Sequence, residues 1–164
     1  MSYKGFFKPT NRAKYKGNAN NVVFRSMWER HCFVWLDNNP DVVSWSSEEV
    51  VVPYYSPIDK KMRRYFVDLK YTTKTGQTFI IEVKPAKETK VPDGPKNSDK
   101  YIRESITYVK NQSKWEAADK YARDNGWVFD VWTENELYKL GIMTRPLPKA
   151  SKLKPLKPLK VKKR

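Results

Sequence analysis

The chain has 164 residues, 33 of them Lys or Arg against 18 Asp or Glu, for a formal charge of +15, and 14% of it is aromatic. That length suits one domain with its own core, and the aromatic content argues against general disorder. Cys32 and His31 are the single cysteine and histidine, which excludes an intramolecular disulfide, a Cys-type zinc site, and any Ser-His-Asp or Cys-His hydrolysis not resting on His31 alone.

Cys32 is expected to be buried in a helix, and His31 to be packed or surface-facing. No stretch approaches the roughly 20 apolar residues of a membrane helix, and the first residues lack the apolar centre of a signal peptide, so a cytoplasmic protein without a membrane partner is expected.

The charge is unevenly placed. The first 20 residues carry five Lys/Arg and no acid, residues 149–164 carry eight and no acid, and residues 21–148 sum to only +2. This divides the chain into a basic arm (1–21), a nearly neutral domain (22–148) and a basic Lys/Pro/Leu tail (149–164). Mobile cations gain affinity for a polyanion by releasing counterions from its phosphates, without reading sequence. DNA contacted along its backbone is the first candidate, with Lys152, Lys154, Lys157 and Lys160 of the tail among the contacts. Anionic lipid fits less well, because Pro146, Pro148, Pro155 and Pro158 forbid a continuous amphipathic helix. The spaced leucines of the tail suit a docking segment equally.

In chain order, Phe6 and Phe7 are expected to anchor the arm locally. Residues 23–36 then set Phe24, Met27, Trp28, Cys32, Trp35 and Leu36 at a helical period that ends before Pro40. Glu29 lies in this apolar helix, with Arg25 four residues earlier as a candidate partner for an exposed ion pair. Residues 50–54 read as a strand, and Pro53 assigns it to an edge or a strand end.

Two strand-like runs follow, 65–71 and 79–84, joined by a turn centred on Thr75. Folded as an antiparallel hairpin, they put Asp68 opposite Glu82. Alternation assigns Tyr65, Val67, Leu69, Tyr71, Phe79, Ile81 and Val83 to a core face, and Phe66, Asp68, Lys70, Ile80, Glu82 and Lys84 to a charged one. Directly opposed residues have Cβ atoms about 4.5–5.5 Å apart, where like charges destabilise. A hard divalent cation taking carboxylate oxygens at about 2.0–2.1 Å relieves that repulsion, and Lys84 points at the same spot. The same residues also suit a solvated sheet face on which Lys70 and Lys84 neutralise the acids.

Residues 85–98 form a mildly basic, proline-rich loop bearing Lys87, Lys90 and Lys96, located to fold over DNA just beyond Lys84. A long helix capped by Ser98 or Asp99 runs through Ala122 to a stop at Asn125 and Gly126, with Lys110 and Lys114 one turn apart on one side. Residues 127–132 read as a strand, and Thr133 with Glu136 as a capping box opening a short helix that ends at Gly141. The order is α-β-β-β-α-β-α. A long crossover helix makes the third and fourth strands parallel neighbours in a mixed sheet covered by helices.

An acid on a first helix (Glu29), then Asp68, then Glu82-Val83-Lys84 on a hairpin followed by a helix and a strand resembles the PD-(D/E)xK nuclease superfamily, with Val67 where that superfamily carries proline. A longer set of segments extends the likeness: Arg25-Ser26-Met27-Trp28-Glu29-Arg30, Trp45-Ser46-Ser47-Glu48, Val52-Pro53-Tyr54, Arg64-Tyr65-Phe66-Val67-Asp68, Ile81-Glu82-Val83-Lys84-Pro85 and Trp127-Val128-Phe129-Asp130-Val131-Trp132. Together they resemble the head completion nucleases of T-even-type phages and the related TnsA-like transposon endonucleases, over nearly the whole chain before the tail.

The resemblance implies an α/β (α+β) protein with a restriction-endonuclease-like αβββαβ core, its mixed central sheet flanked by helices, plus basic N- and C-terminal arms. It implies that Asp68 and Glu82 hold Mg2+, with Mn2+ as a substitute, that Glu29 completes or tunes the metal site, and that Lys84 orients water or stabilises the phosphorane. The implied reaction is hydrolysis of DNA phosphodiesters in packaged or portal-proximal DNA after packaging. Portal or head-tail connector proteins would be partners, and the host cytoplasm during assembly and the virion head or neck the locations. Two other readings stay open: a non-catalytic head or portal-binding protein that holds DNA through its arms, and a TnsA-like transposition endonuclease.

Overall fold

A computed structural model describes residues 4–147. In chain order the elements are β1 Gly5–Phe7, a 3-10 turn Arg12–Lys14, β2 Val22–Phe24, α1 Met27–Asn38, β3 Val42–Ser47, β4 Val51–Ser56, β5 Lys61–Phe66, β6 Leu69–Thr73, β7 Thr78–Val83, a 3-10 turn Ala86–Thr89, α2 Asp99–Asp124, β8 Val128–Trp132 and α3 Glu134–Lys139.

The central sheet has the order β3-β6-β7-β8. Its first two pairings are antiparallel, and β7 and β8 are parallel, joined by the α2 crossover. With α1 in front, α1-β3-β6-β7-α2-β8 is the αβββαβ core that the resemblance implies. Its first strand is β3, however, and not residues 50–54. Three serines among the six residues of β3 conceal its β pattern, although Val42 and Trp45 are buried. Residues 50–54 instead lead into β4, which pairs only with β5 in a two-stranded sheet inserted between β3 and β6. Pro53 thus sits in a strand with a single neighbour, as its missing N–H requires.

The hairpin register is the expected one. Leu69 pairs with Ile81, Lys70 with Ile80 and Tyr71 with Phe79, so Asp68 stands one step before β6, opposite Glu82. Gly76, at φ 83°, takes the left-handed position in the turn.

Two expectations about this hairpin are corrected. The run 65–71 is not one strand, because β5 ends at Phe66 and the Val67 N–H donates to Val50 O at 3.0 Å, keeping Val67 with the inserted hairpin. Nor is one face core and the other charged. Ile81 packs with Leu69, Tyr71, Phe33, Leu36, Trp45 and Trp132 on the α1 side. Its neighbour Ile80 packs with Val52, Tyr65, Val67, Ala118 and Ala122 on the α2 side. Both isoleucines are fully buried, as suits a central strand covered on both faces. Tyr65 and Val67 therefore belong to the Ile80 face, opposite to Leu69 and Tyr71.

The basic arm expected for residues 1–21 is folded over its described part. β1 pairs with β2, Tyr15 is buried, and the Phe7 ring lies edge-on to Phe33 at 5.6 Å and to Trp45 at 6.0 Å. Phe6 is exposed, so Phe7 alone anchors. Lys14 Nζ donates to the carbonyls of Leu36, Asp37 and Asn39, each at 2.9 Å. Those carbonyls end α1 without helical partners and carry the negative end of its dipole, which is why a cation settles there.

α1 begins at Met27, capped by the Ser26 hydroxyl accepting from Glu29 N, and residues 22–24 ahead of it are strand, not helix. The Ser98 cap of α2, its end before Gly126 at φ 72°, and the Thr133–Glu136 capping box of α3 are all as the sequence indicates. Cys32 is buried and His31 exposed. Among the described residues no helix is long and apolar enough to cross a membrane. The expected tail 149–164, with Lys152, Lys154, Lys157 and Lys160, lies outside the described residues.

Candidate active site

The strand break at Val67–Asp68 and the end of β7 build the site together. Asp68 is held from both sides: Glu48 N donates to its carbonyl at 3.2 Å, and Val83 N donates to its Oδ2 at 2.8 Å. Across the hairpin, Glu82 is buried at 7% exposure. Its Oε2 accepts from the Tyr65 hydroxyl, and its Oε1 lies 3.5 Å from Lys84 Nζ. Lys84 N donates to Trp132 O at 2.9 Å, prolonging the β7–β8 ladder by one residue and fixing the lysine at the sheet end.

Burial, and next the Glu82 charge, hold the Asp68 carboxyl well above the usual carboxylate range, while the Val83 N–H and Lys84 pull the other way. Burial likewise raises the Tyr65 phenol, with the Glu82 carboxylate adding to it, so the hydroxyl stays a donor. The arrangement is a crowded pair of acids with one cation beside it.

Glu29 approaches from α1. Its Oε2 accepts from Arg25 N at 3.1 Å and its Oε1 from the Ser26 hydroxyl at 3.4 Å, tying it to the two residues ahead of the helix. Burial raises its pKa, and its charge also raises that of Asp68. The ion pair expected between Arg25 and Glu29 is not made; Arg25 Nε pairs with Glu48 at 2.8 Å instead. Glu48 has φ 55°, unusual for a residue with a side chain. From there its N–H and carboxylate tie Asp68 to the α1 N-terminus.

Glu29 and Lys84 line one cavity of about 450 Å3, together with Ser26, Trp28, Pro85 and Glu88. Ala86 N donates to Glu134 Oε2 at 2.8 Å, pinning the chain just past Lys84. Lys87 and Lys90 are exposed in and after the turn that follows. On α2, Lys114 lies 5.6 Å from the Tyr65 ring and 5.9 Å from that of Tyr54. Lys110, a turn earlier, is half-buried.

Among the described residues no group of three or more His, Cys, Asp or Glu is gathered for a metal ion. Asp68 and Glu82 face each other across the hairpin, and Glu29 acts on Asp68 from α1 through its charge. That donor set fits Mg2+, which is commonly held by one or two carboxylates and completed by waters and substrate phosphate. Sequence reasoning missed Tyr65, Glu88 and the Arg25–Glu48 link. Tyr65 gave no signal, since an unbroken strand would turn it away from Glu82.

Residues 39–134 match the family described as TnsA-like endonuclease N terminal. The chain is 39% identical over 146 residues to the head completion nuclease of Enterobacteria phage T4, covering 86% of this chain and 97% of that protein. The chain belongs to this nuclease family. The matched span runs from before β3 to the start of α3 and so contains Asp68, Glu82, Lys84 and every strand of the central sheet. Family membership and the αβββαβ core agree, although β4–β5 stands outside that core.

Proposed function

We propose that the chain is a divalent-metal-dependent DNA endonuclease acting in phage head completion after DNA packaging. The observation that carries it is the opposed Asp68–Glu82 pair with Lys84 Nζ 3.5 Å from Glu82, in a chain of this nuclease family. Crowded carboxylates are costly unless a cation relieves them.

Asp68 and Glu82 would hold Mg2+ or Mn2+, which when bound supplies Lewis acidity to the scissile phosphate and the attacking water. Lys84 offsets the negative charge that grows on the phosphate oxygens. The Tyr65 hydroxyl fixes one oxygen of Glu82 and leaves the other facing Lys84. Glu29 tunes the site by its charge on Asp68 from the rim of the cavity. A water oxygen bonds to phosphorus, a P–O ester bond breaks, and the DNA is left with one hydroxyl and one phosphate end.

Packaged or portal-proximal DNA is the proposed substrate, the portal or head-tail connector the proposed partner, and the host cytoplasm or the virion head and neck the proposed location. Supercoiled plasmid incubated with the protein and Mg2+, Mn2+ or EDTA tests the reaction. Nicking by wild type with metal, and none by Asp68→Ala, is expected. DNA binding without cutting under any metal would replace this reading with a structural DNA-binding head protein.

A further inference from the structure

We propose that the β4–β5 hairpin is a ribbon that binds duplex DNA and seats it beside Asp68; the inference rests on the nuclease reading above. The hairpin rises directly from the site. At its base Val51 pairs with Phe66, two residues before Asp68, and hydrogen bonds from Val67 N to Val50 O and from Glu48 N to Asp68 O stitch it there. Residues 51–66 carry four cations against one acid, a charge of +3, whereas residues 21–148 as a whole reach only +2. The described fold as a whole, residues 4–147, sums to +7, so this 16-residue insertion carries a larger share of the charge than of the length.

Its cations are available. Arg63 is paired with Asp59, but Lys60, Lys61 and Arg64 are exposed and make no ion pair among the described residues. Its outer face is also unlike a solvated one. Val52, Tyr54 and Ser56 turn inward, and the outward row pairs Tyr55 with Met62, Pro53 with Arg64 and Val51 with Phe66. Met62 is 64% exposed, Tyr55 55% and Phe66 45%, and the Arg64 guanidinium lies 5.6 Å from the Phe66 ring.

Arg64 shares this outward row, while Lys61 stands opposite Ser56 on the other row and Lys60 in the turn; adjacent exposed apolar groups beside an unpaired cation mark a binding face. The cations select a polyanion over a neutral protein surface. Size agrees as well. A two-stranded ribbon fits a major groove about 12 Å wide, and six residues at about 3.3 Å each span roughly 20 Å, or about six base-pair steps of 3.4 Å.

The test uses the full chain in EDTA, with fluorescence anisotropy of a labelled DNA duplex across a salt series. The triple variant Lys60→Gln, Lys61→Gln, Arg64→Gln should bind at least about tenfold more weakly near 0.1 M salt, with its salt slope lower by about two to three. The double variant Tyr55→Ala, Met62→Ala should lose affinity at unchanged slope. All five side chains are exposed, and circular dichroism melting checks that each variant is folded. An unchanged slope and affinity in the folded triple variant overturns the proposal, as it would if the hairpin docked a protein instead. Plasmid cutting separates the two readings. Metal-dependent cutting with unchanged DNA binding sinks the ribbon alone, whereas a lowered slope in a protein that never cuts supports the ribbon and sinks the nuclease reading.

Discussion

The Tyr65 hydroxyl donates to Glu82 Oε2, joining the inserted β5 strand to the central strand β7 at the candidate metal site. Partners that orient a metal-binding carboxylate typically change metal affinity or activity about 10- to 100-fold when removed. Tyr65→Phe keeps the ring in its cluster with Ile80, Ala118 and Ala122 and removes only the donor. Plasmid cutting titrated with Mg2+ should show the apparent metal affinity or the maximal rate reduced by that factor, with the melting temperature little changed. Undiminished cutting at every Mg2+ concentration would remove Tyr65 from the site.

The crowding at Asp68 has a sign that stability measurements can read. Its folded pKa lies above the unfolded value near 3.8, so the protonated form stabilises the fold. That contribution is full below about pH 3.8 and is lost as pH rises through the raised folded value. At neutral pH Asp68 in the metal-free protein therefore opposes folding, since its charge is buried or a proton must be taken up to avoid that. Asp68→Asn should raise the melting temperature in EDTA by a few degrees, about 1 kcal/mol being worth roughly 2–4 °C in a chain of this size. Mg2+ should stabilise the wild type, because a ligand bound only by the native state does so, and leave Asp68→Asn unmoved. Equal Mg2+ stabilisation of both proteins would locate the ion elsewhere.

Ser26 and Glu29 share the helix start but should separate in assay. Loss of a Ser cap typically costs about 1 kcal/mol, so Ser26→Ala should lower stability in urea by that amount and cutting only slightly. Glu29→Gln keeps one oxygen acceptor, for Arg25 N, and sets an NH2 group against the Ser26 hydroxyl, to which it donates, while removing the charge next to Asp68. Its stability should change by less than about 0.5 kcal/mol, and its activity should fall, though less than that of Asp68→Ala. The reverse order of effects would make Glu29 a cap and nothing more.

Asp37 holds the N-terminal segment in place. It is buried at 1% exposure and accepts from Thr10 N at 2.9 Å, Asn11 N at 3.1 Å and Trp45 Nε1 at 3.2 Å. Asp37→Ala strands those donors at a cost of about 1–3 kcal/mol for a buried group left unpaired. The expected loss is about 3 kcal/mol in denaturant unfolding, accompanied by proteolytic cutting ahead of Val22. Asp37→Asn, which keeps an acceptor, should lose less.

Much of the site was legible because its signals are local. The turn around Thr75 fixes the hairpin register, a one-residue slip would flip every side chain, and so Asp68 opposite Glu82 follows from the chain alone. The helix caps Ser98 and Thr133, the stop at Gly126 and the parallel crossover to β8 were readable for the same reason. β3 was not, because Ser44, Ser46 and Ser47 carry little β signal and their strand is set by pairing with β6.

The sequence by itself determined the family, the opposed acids and the αβββαβ order apart from the place of its first strand, since these rest on short-range periodicity, turn chemistry and motif residues. Only the tertiary structure decided which face Tyr65 serves and what the basic residues do. Val67 bonds to Val50 and breaks the strand period just before Asp68, which turns Tyr65 toward Glu82. Lys14 caps the carbonyl end of α1, while Lys60, Lys61 and Arg64 stay exposed on the inserted hairpin. A lysine counts the same in any sequence, but burial and the groups packed around it determine whether its charge closes a helix or faces a ligand.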